Sequence, residues 1–350
     1  MDTFVWEQLD FQEVQRAVDD ILNGSFQFRD TVLELISGER PFTLDGFLRA
    51  VLQQAGTDWR TEKYILVSIL VLGIAAALLT GFTDIFQNRQ AGETGFEITY
   101  LLLFLTLMQV FSGATELTEQ VLTGILEFMK ALLPAWCLAV TLAAGSTTAL
   151  VFYQFLLGLI YLLEWLIREW LLTLIQVYLI LVFVNHMTKE EYLSQMTEMT
   201  GKAVGWILKS LLAVVVGFHT IQGLISPAVD AVRQTAFSQV FKSLPGIGNA
   251  AGSVTELLLG SAVLIKNGIG AAALVVLVLL CLTPLVKLGV LMLILKGAAA
   301  LVQPVSDKRI VGCVAGAGEG ICLLLQLVFT VLVLFVIAIV VVTVSVRGGL

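Results

Sequence analysis

Gly320-Ile-Cys-Leu-Leu-Leu-Gln-Leu-Val-Phe-Thr-Val-Leu-Val-Leu-Phe-Val-Ile-Ala-Ile-Val-Val-Val-Thr-Val-Ser-Val346 carries not one charged side chain. A helix needs about 20 mainly apolar residues to cross a hydrocarbon layer roughly 30 Å thick. This stretch exceeds that length, and its reading as a spanning helix decides the class of the chain. Working outward, charge-free windows recur at Tyr64–Thr83, Ile98–Thr115, Ala131–Leu163, Trp170–Thr188, Ser210–Val229 and Asn267–Val286. Leu285–Val302 is a further apolar segment carrying Lys287 and Lys296, which Pro284 is expected to separate from the window before it. Ala131–Leu163 is too long for one straight span. Pro134 and Ala143-Ala-Gly-Ser146 predict a broken helix or a hairpin there. The expectation is an all-α polytopic membrane protein with about eight spans.

Composition agrees. Hydrophobic residues make up 58% of the 350, and charged residues 13%. Soluble domains run about 45–50% apolar and roughly 25% charged. A disordered chain, a coiled coil and a soluble globular enzyme are excluded. The whole net charge of −7 falls in residues 1–62, because acids and bases balance over 63–350. This divides the chain into an acidic N-terminal helical region, expected outside the bilayer, and a membrane domain from 63 to 350. Phe11, Val14, Val18 and Ile21 recur at helical spacing, and Asn23-Gly24 stops that helix. Thr43 is placed to cap a second helix carrying Leu44, Phe47, Leu48 and Val51. So small a region packs on a partner or on the membrane domain. Met1–Leu9 has acids where a signal peptide would have bases. Either the first apolar span directs insertion, or a signal peptide has been removed. Lys and Arg do not separate into alternate loops, so orientation is not fixed.

The sequence also repeats. Glu127-Phe-Met-Lys-Ala-Leu-Leu-Pro134 precedes Ala143-Ala-Gly-Ser-Thr-Thr-Ala-Leu150, and Val240-Phe-Lys-Ser-Leu-Pro245 precedes Ala250-Ala-Gly-Ser-Val-Thr-Glu-Leu257. Each copy follows a span and an amphipathic segment, Thr115–Lys130 and Ala228–Ser243. Such segments suit the plane of the interface. Repeat-like units are therefore expected at about 98–188 and 206–302, with 98–150 and 206–257 superposable, related by an in-plane pseudo-two-fold axis. Duplicated halves with broken or re-entrant helices recur in transporters. The alternative is that small residues simply ease helix packing.

No motif of known catalytic chemistry occurs: no H-E-x-x-H, G-x-S-x-G or P-loop. No catalytic, cofactor-binding or metal-ligating residue is assigned, and the chain is expected not to be an enzyme. The absence of a basic block argues against nucleic acid. Cys137, Cys281, Cys313 and Cys322 read as packing residues. His186 reads as interfacial, and His219 as bonding a neighbouring helix. Glu127 with Lys130, and Asp230 with Arg233, can each meet on one helix face. As interfacial ion pairs they would contribute ~0.5 kcal/mol. Lys287 and Lys296 can snorkel to the span ends. Glu256 reads as either a cavity lining or a loop end, and Glu319 as a loop end at the headgroups. The segment Pro245–Gly260 is expected to dip into the membrane domain opposite its counterpart after Pro134 and Gly145. Gly246, Gly248 and Gly252 would allow close approach, while Asn249, Ser253 and Glu256 would face a cavity.

One tract is specific. Gly223-Leu-Ile-Ser-Pro-Ala-Val-Asp-Ala-Val-Arg233 leads to Phe241-Lys-Ser-Leu-Pro-Gly-Ile-Gly-Asn-Ala250 and on to Lys266-Asn-Gly-Ile-Gly270. Together with Gly81-Phe-Thr-Asp-Ile-Phe86 and Ser37-Gly-Glu-Arg-Pro-Phe42, it resembles the stage III sporulation protein AE family. The resemblance implies a multi-pass protein of the mother-cell membrane around the forespore. It implies partners in a secretion-like complex: a secretion-type ATPase, ring-forming proteins and a forespore partner, stage II sporulation protein Q. A membrane platform or permease-like subunit of that complex, in contact with membrane lipid and open to homo-oligomerisation, is the first expectation. A stand-alone secondary transporter for a small solute and a passive scaffold are the alternatives.

Overall fold

The computed structural model describes residues 11–22, 27–37, 56–57, 59–60, 62–75, 77–78, 89–144, 146–187, 190, 192–242 and 248–345. Side chains are described there except at 20–22, 36–37, 89–93, 144, 146–148, 219–242, 248–259 and 344–345. The described residues form helices and short turns, with no strand. Two short amphipathic helices, α1 (Gln12–Leu22) and α2 (Phe28–Ser37), precede six longer ones. These are α3 (Arg89–Ala144), α4 (Ser146–Leu166), α5 (Leu172–Met187), α6 (Ser194–Lys242), α7 (Gly248–Val302) and α8 (Lys308–Ser345). A π-helical turn, Ile167–Leu171, joins α4 to α5 in one rod. Residues 62–75 and 77–78 are also helical.

Helix is the state that apolar surroundings impose. Ala338-Ile-Val-Val-Val-Thr-Val-Ser345 is rich in β-branched residues, which lower helix propensity. It is nonetheless helical, because hydrocarbon leaves no water to satisfy backbone polar groups. The threonine hydroxyls follow the same rule. Thr115, Thr118 and Thr343 donate to the carbonyls of Phe111, Ala114 and Ile339 at 3.0, 2.8 and 2.7 Å, each one helical turn back.

Among the described residues, five helical stretches are long and apolar enough to cross a membrane: Thr94–Ala143, Ala149–Met187, Ser194–Phe218, Gly260–Val302 and Lys308–Thr343. The sequence windows suggested about eight. Two prolines account for part of the difference. Pro134 lies inside α3 and Pro284 inside α7, and neither divides its helix. Helices packed among neighbours tolerate proline because other groups satisfy the freed carbonyl. The expected hairpin does form, but at its Gly-Ser end: α3 stops at Ala144 and α4 starts at Ser146. The two run back to back, with the Cys137 thiol 3.7 Å from the Ala149 carbonyl oxygen.

This also alters the repeat. In the second copy Ala250-Ala-Gly-Ser253 lies within α7, whereas the matching residues of the first copy flank a helix boundary. In both copies the amphipathic segment continues the preceding span as one helix, not as a separate one. Gly145, Pro245 and Gly246 lie outside the described residues, as does the expected second N-terminal helix at Thr43–Val51.

α1 and α2 dock on the bundle. Phe11, Val14, Val18, Phe28 and Val32 are buried, and the Phe28 ring meets Phe128 of α3 at 6.3 Å. Gln15 of α1 accepts the Phe28 backbone N–H at 2.8 Å, fixing the start of α2.

α8 is the centre, packed against α3, α5, α6 and α7. Asp307 caps it, accepting the Arg309 N–H at 2.9 Å. Its first turns carry Gly312, Gly316 and Gly320, one small residue every fourth position. The His186 ring lies against Gly312 and Val182 against Gly316, while a Cβ on Gly320 would stand 3.0 Å from Phe111. Small-residue stripes let membrane helices approach where no hydrophobic driving force exists between them. A Gly316→Val substitution should therefore lower the thermal unfolding midpoint of the purified protein, at a cost of about 1–3 kcal/mol of overpacking. Adding Val182→Ala should recover part of the loss. An unchanged midpoint in the single variant would disprove this account of the α5–α8 contact.

Candidate functional site: a polar cavity among α5, α6, α7 and α8

A cavity of about 540 Å³ opens among the four helices. α5 contributes Tyr178, Asn185 and His186. α6 contributes Ser194, Thr197, Glu198, Gly201 and Lys202, and α7 only Lys296. α8 supplies Glu319, Cys322, Leu323 and Gln326. The volume lies in the usual range for small-molecule sites, about 300–1,000 Å³, but the lining is far more polar than is usual there. Every lining residue belongs to a helix long and apolar enough to span.

Local structure places each group. Asn185 accepts the Leu193 N–H at 2.8 Å, which ties the end of α5 to the start of α6. His186 Nδ1 lies 2.8 Å from the Val182 carbonyl oxygen. A carbonyl only accepts, so Nδ1 carries the proton and Nε2 is left as an acceptor in the neutral ring. Gly201 lets α6 lie against the Tyr178 ring, where an added Cβ would be 3.3 Å from it. The Tyr178 hydroxyl donates to Glu319 at 3.4 Å. Gly318 makes room for the Lys296 stem: a Cβ there would lie 3.2 Å from Lys296 Cγ.

The charges in the cavity are unequal in kind. Lys202 and Glu198 close on each other at 2.5 Å, one turn apart on α6. Lys296 and Glu319 do not; neither makes an ion pair among the described residues. Among the described residues, Lys296 has no carboxylate partner and Glu319 accepts from the Tyr178 phenol.

This site differs from the one expected. Glu319 sits eleven residues into α8, not in a loop, and Lys296, exposed near the end of α7, lines the cavity. Glu127 is exposed on α3. Lys130 does not pair with it but crosses to Glu164 of α4 at 2.7 Å, over the Tyr161 ring. Lys287 finds a carboxylate, Glu62, at 3.8 Å. Pro134 is exposed on α3, away from the cavity. Asp230 and Arg233 lie on α6, and Gly248, Asn249, Gly252, Ser253 and Glu256 on the first turns of α7; their side chains lie outside the described set. Sequence reasoning missed Tyr178, Asn185 and Gln326 altogether. The available signal was Gly312-x3-Gly316-x3-Gly320, which marks where α8 is closely gripped and so which neighbours surround Glu319.

Among protein families, residues 26–346 match stage III sporulation protein AE. The chain belongs to this family. Stage III sporulation protein AE of Bacillus subtilis (strain 168) is 22% identical over 286 residues, covering 81% of this chain and 72% of that protein. No solved structure matches. Membership in the stage III sporulation protein AE family implies a role in sporulation.

If water fills the cavity, its thiol should react. A membrane-impermeant maleimide should label Cys322, which lines the cavity, while Cys281 and Cys313, fully buried, stay unmodified. In a Cys137→Ser background the rate at Cys322 should exceed theirs by ~10-fold or more, since reagent reaches a thiol that lines the cavity and buried thiols are inert. Equal protection of all three, reversed by unfolding, would show a dry cavity.

Proposed function

We propose that the chain is the permease-like membrane subunit of the mother cell–forespore channel complex. Family membership supports the sporulation role, and one observation carries the rest: Lys296 and Glu319 face the same cavity unpaired. Ionisable groups within spanning helices are costly and mark ligand or ion pathways. A platform that merely braced its partners would gain nothing from keeping two opposite charges apart in a polar space. On this reading the chain is a multi-pass protein of the mother-cell membrane around the forespore. Its partners are the secretion-type ATPase, the ring-forming proteins and the forespore partner, and it performs no covalent chemistry.

A stand-alone secondary transporter is the second reading, and the same pair of charges favours it. Assembly separates the two, because a stand-alone transporter would not co-purify with the other complex proteins from sporulating cells.

The test is genetic. Glu319→Gln and Lys296→Met should each reduce heat-resistant spores by ~10-fold or more, the scale of one lost charge-assisted contact. Protein level and co-purification of the complex should stay normal. Wild-type spore counts in both variants would leave only a scaffold.

A further inference from the structure

We infer that the cavity binds a zwitterion with a primary ammonium group, the ammonium against Glu319 and the anionic group against Lys296. The inference rests on the cavity being the working site and adds the chemistry of what occupies it.

The argument begins with charge. The cavity holds two acids and two bases, Glu198, Lys202, Lys296 and Glu319. Glu198 and Lys202 satisfy each other. What remains is one cation and one anion on different helices, α7 and α8, without an ion pair of their own. A simple anion would satisfy Lys296 and meet repulsion from Glu319. A simple cation would do the reverse. Both side chains are exposed on the cavity wall, where a simple ion answers one of them and a ligand carrying both signs answers both at once.

The donors and acceptors specify the cation. The Glu319 carboxylate has lone pairs beyond the one that takes the Tyr178 hydroxyl, and ionised carboxylates only accept. A primary ammonium, with three N–H donors, fits such a set, and a quaternary ammonium does not. On the other side, Lys296 brings three donors to a phosphate or carboxylate.

Access favours an amphiphile. Among the described residues α6 and α7 scarcely touch, which leaves room for entry between those stretches. Trp206, one turn from Lys202, and Leu293, one turn from Lys296, are exposed at 75% and 60%. A charged floor between apolar edges accepts an aminophospholipid headgroup with its chains in the bilayer. The same floor would take the backbone of a free amino acid. The shared chemistry is the ammonium–anion pair.

The experiment uses the purified full chain in detergent and follows its thermal unfolding midpoint against four probes. These are dihexanoyl phosphatidylethanolamine, dihexanoyl phosphatidylcholine, dihexanoyl phosphatidylglycerol and alanine. Phosphatidylethanolamine, alanine or both should raise the midpoint with concentration, as a ligand specific to the folded state does. Phosphatidylcholine and phosphatidylglycerol should not. The apparent affinity should fall ~10-fold or more in Glu319→Gln and in Lys296→Met, and stay unchanged in Glu127→Gln on the outer face of α3. A response to phosphatidylethanolamine alone names the membrane as the source, and one to alanine alone names a solute. No response to either, an equal response to phosphatidylglycerol, or undiminished affinity in both cavity variants would overturn the inference. If no zwitterion binds but Glu319→Gln still loses spores, the ligand assignment fails while the cavity keeps its role.

Discussion

The thickness of the hydrocarbon layer governs the rest of this structure. About 20 helical residues cross it, yet α3 has 56 residues, α7 55, α6 49 and α8 38. Each helix must therefore pass out of lipid or be wrapped in protein along part of its length. The surface of α3 records the consequence. Its exposed face is apolar at Ile98, Leu101, Leu102 and Leu105, then polar at Gln109, Glu116, Glu119 and Glu127, then apolar again at Leu138 and Leu142. The middle section belongs in water or among headgroups. The α4–α5 rod is banded in the same way: Trp165 and Trp170 flank Arg168 and Glu169 at the π-helical turn, where its helical repeat is widened. Tryptophans beside charges are the usual mark of an interface. The Lys130–Glu164 bridge ties the polar sections of the two rods together. α1 and α2 cover the apolar back of the α3 section through Phe28 and Phe128.

Inside the bundle, shape takes over from the hydrophobic effect, because lipid tails are as apolar as leucine. Close approach is concentrated where a small residue meets a larger one. Gly312 and Gly316 meet His186 and Val182, Gly73 meets Val302, and Gly270 meets Thr343. The glycines on α8 bring it close to α5 and α3 together. That grip sets the height of Glu319 opposite Tyr178, so the packing of one stripe fixes the geometry of the polar site three residues away. Packing and site are thus one problem, and the sequence solves it by placing Gly318 and Gly320 on either side of the carboxylate.

The legibility of the sequence follows the range of each interaction. Helix class, the α1 pattern of Phe11, Val14 and Val18, and the α3–α4 turn beside Gly145 depend on neighbours in the chain, and all were readable. Pro134 and Pro284 misled because proline's local cost is fixed while its remedy comes from other helices. Lys130 misled for a related reason: Glu127 is three residues away in sequence, but Glu164, thirty-four away, is where the hairpin brings a carboxylate within 2.7 Å. The cavity was hidden because its lining comes from four helices: α6 shows a polar face at Ser194, Thr197, Glu198 and Lys202, but nothing in the sequence says that it faces Glu319 of α8 and Lys296 of α7. Glu319 was visible as an acid in a Gly-rich stretch, but a Gly-rich stretch reads equally as loop and as close-packed helix. Only the partners of Gly312 and Gly316 distinguish the two.

The remaining charges of the bundle show why the cavity stands apart. Lys266 is 1% exposed, and its ammonium donates to the Thr343 carbonyl at 2.8 Å. It thereby answers an acceptor near the C-terminus of α8, where the helix dipole favours a cation. Arg309 lies over the Phe96 ring at 3.6 Å and bonds Asp307, which itself caps α8. Lys287 reaches Glu62. In each case the charge is bonded to an opposite charge, a carbonyl or a ring. Lys296 and Glu319 are close enough to line one space and are not joined. Gly318 makes room for the Lys296 stem, and the Tyr178 hydroxyl donates to Glu319 from α5. Two opposite charges that line one space without an ion pair are answered there by water or by a ligand, and that is the physical content of the proposed site.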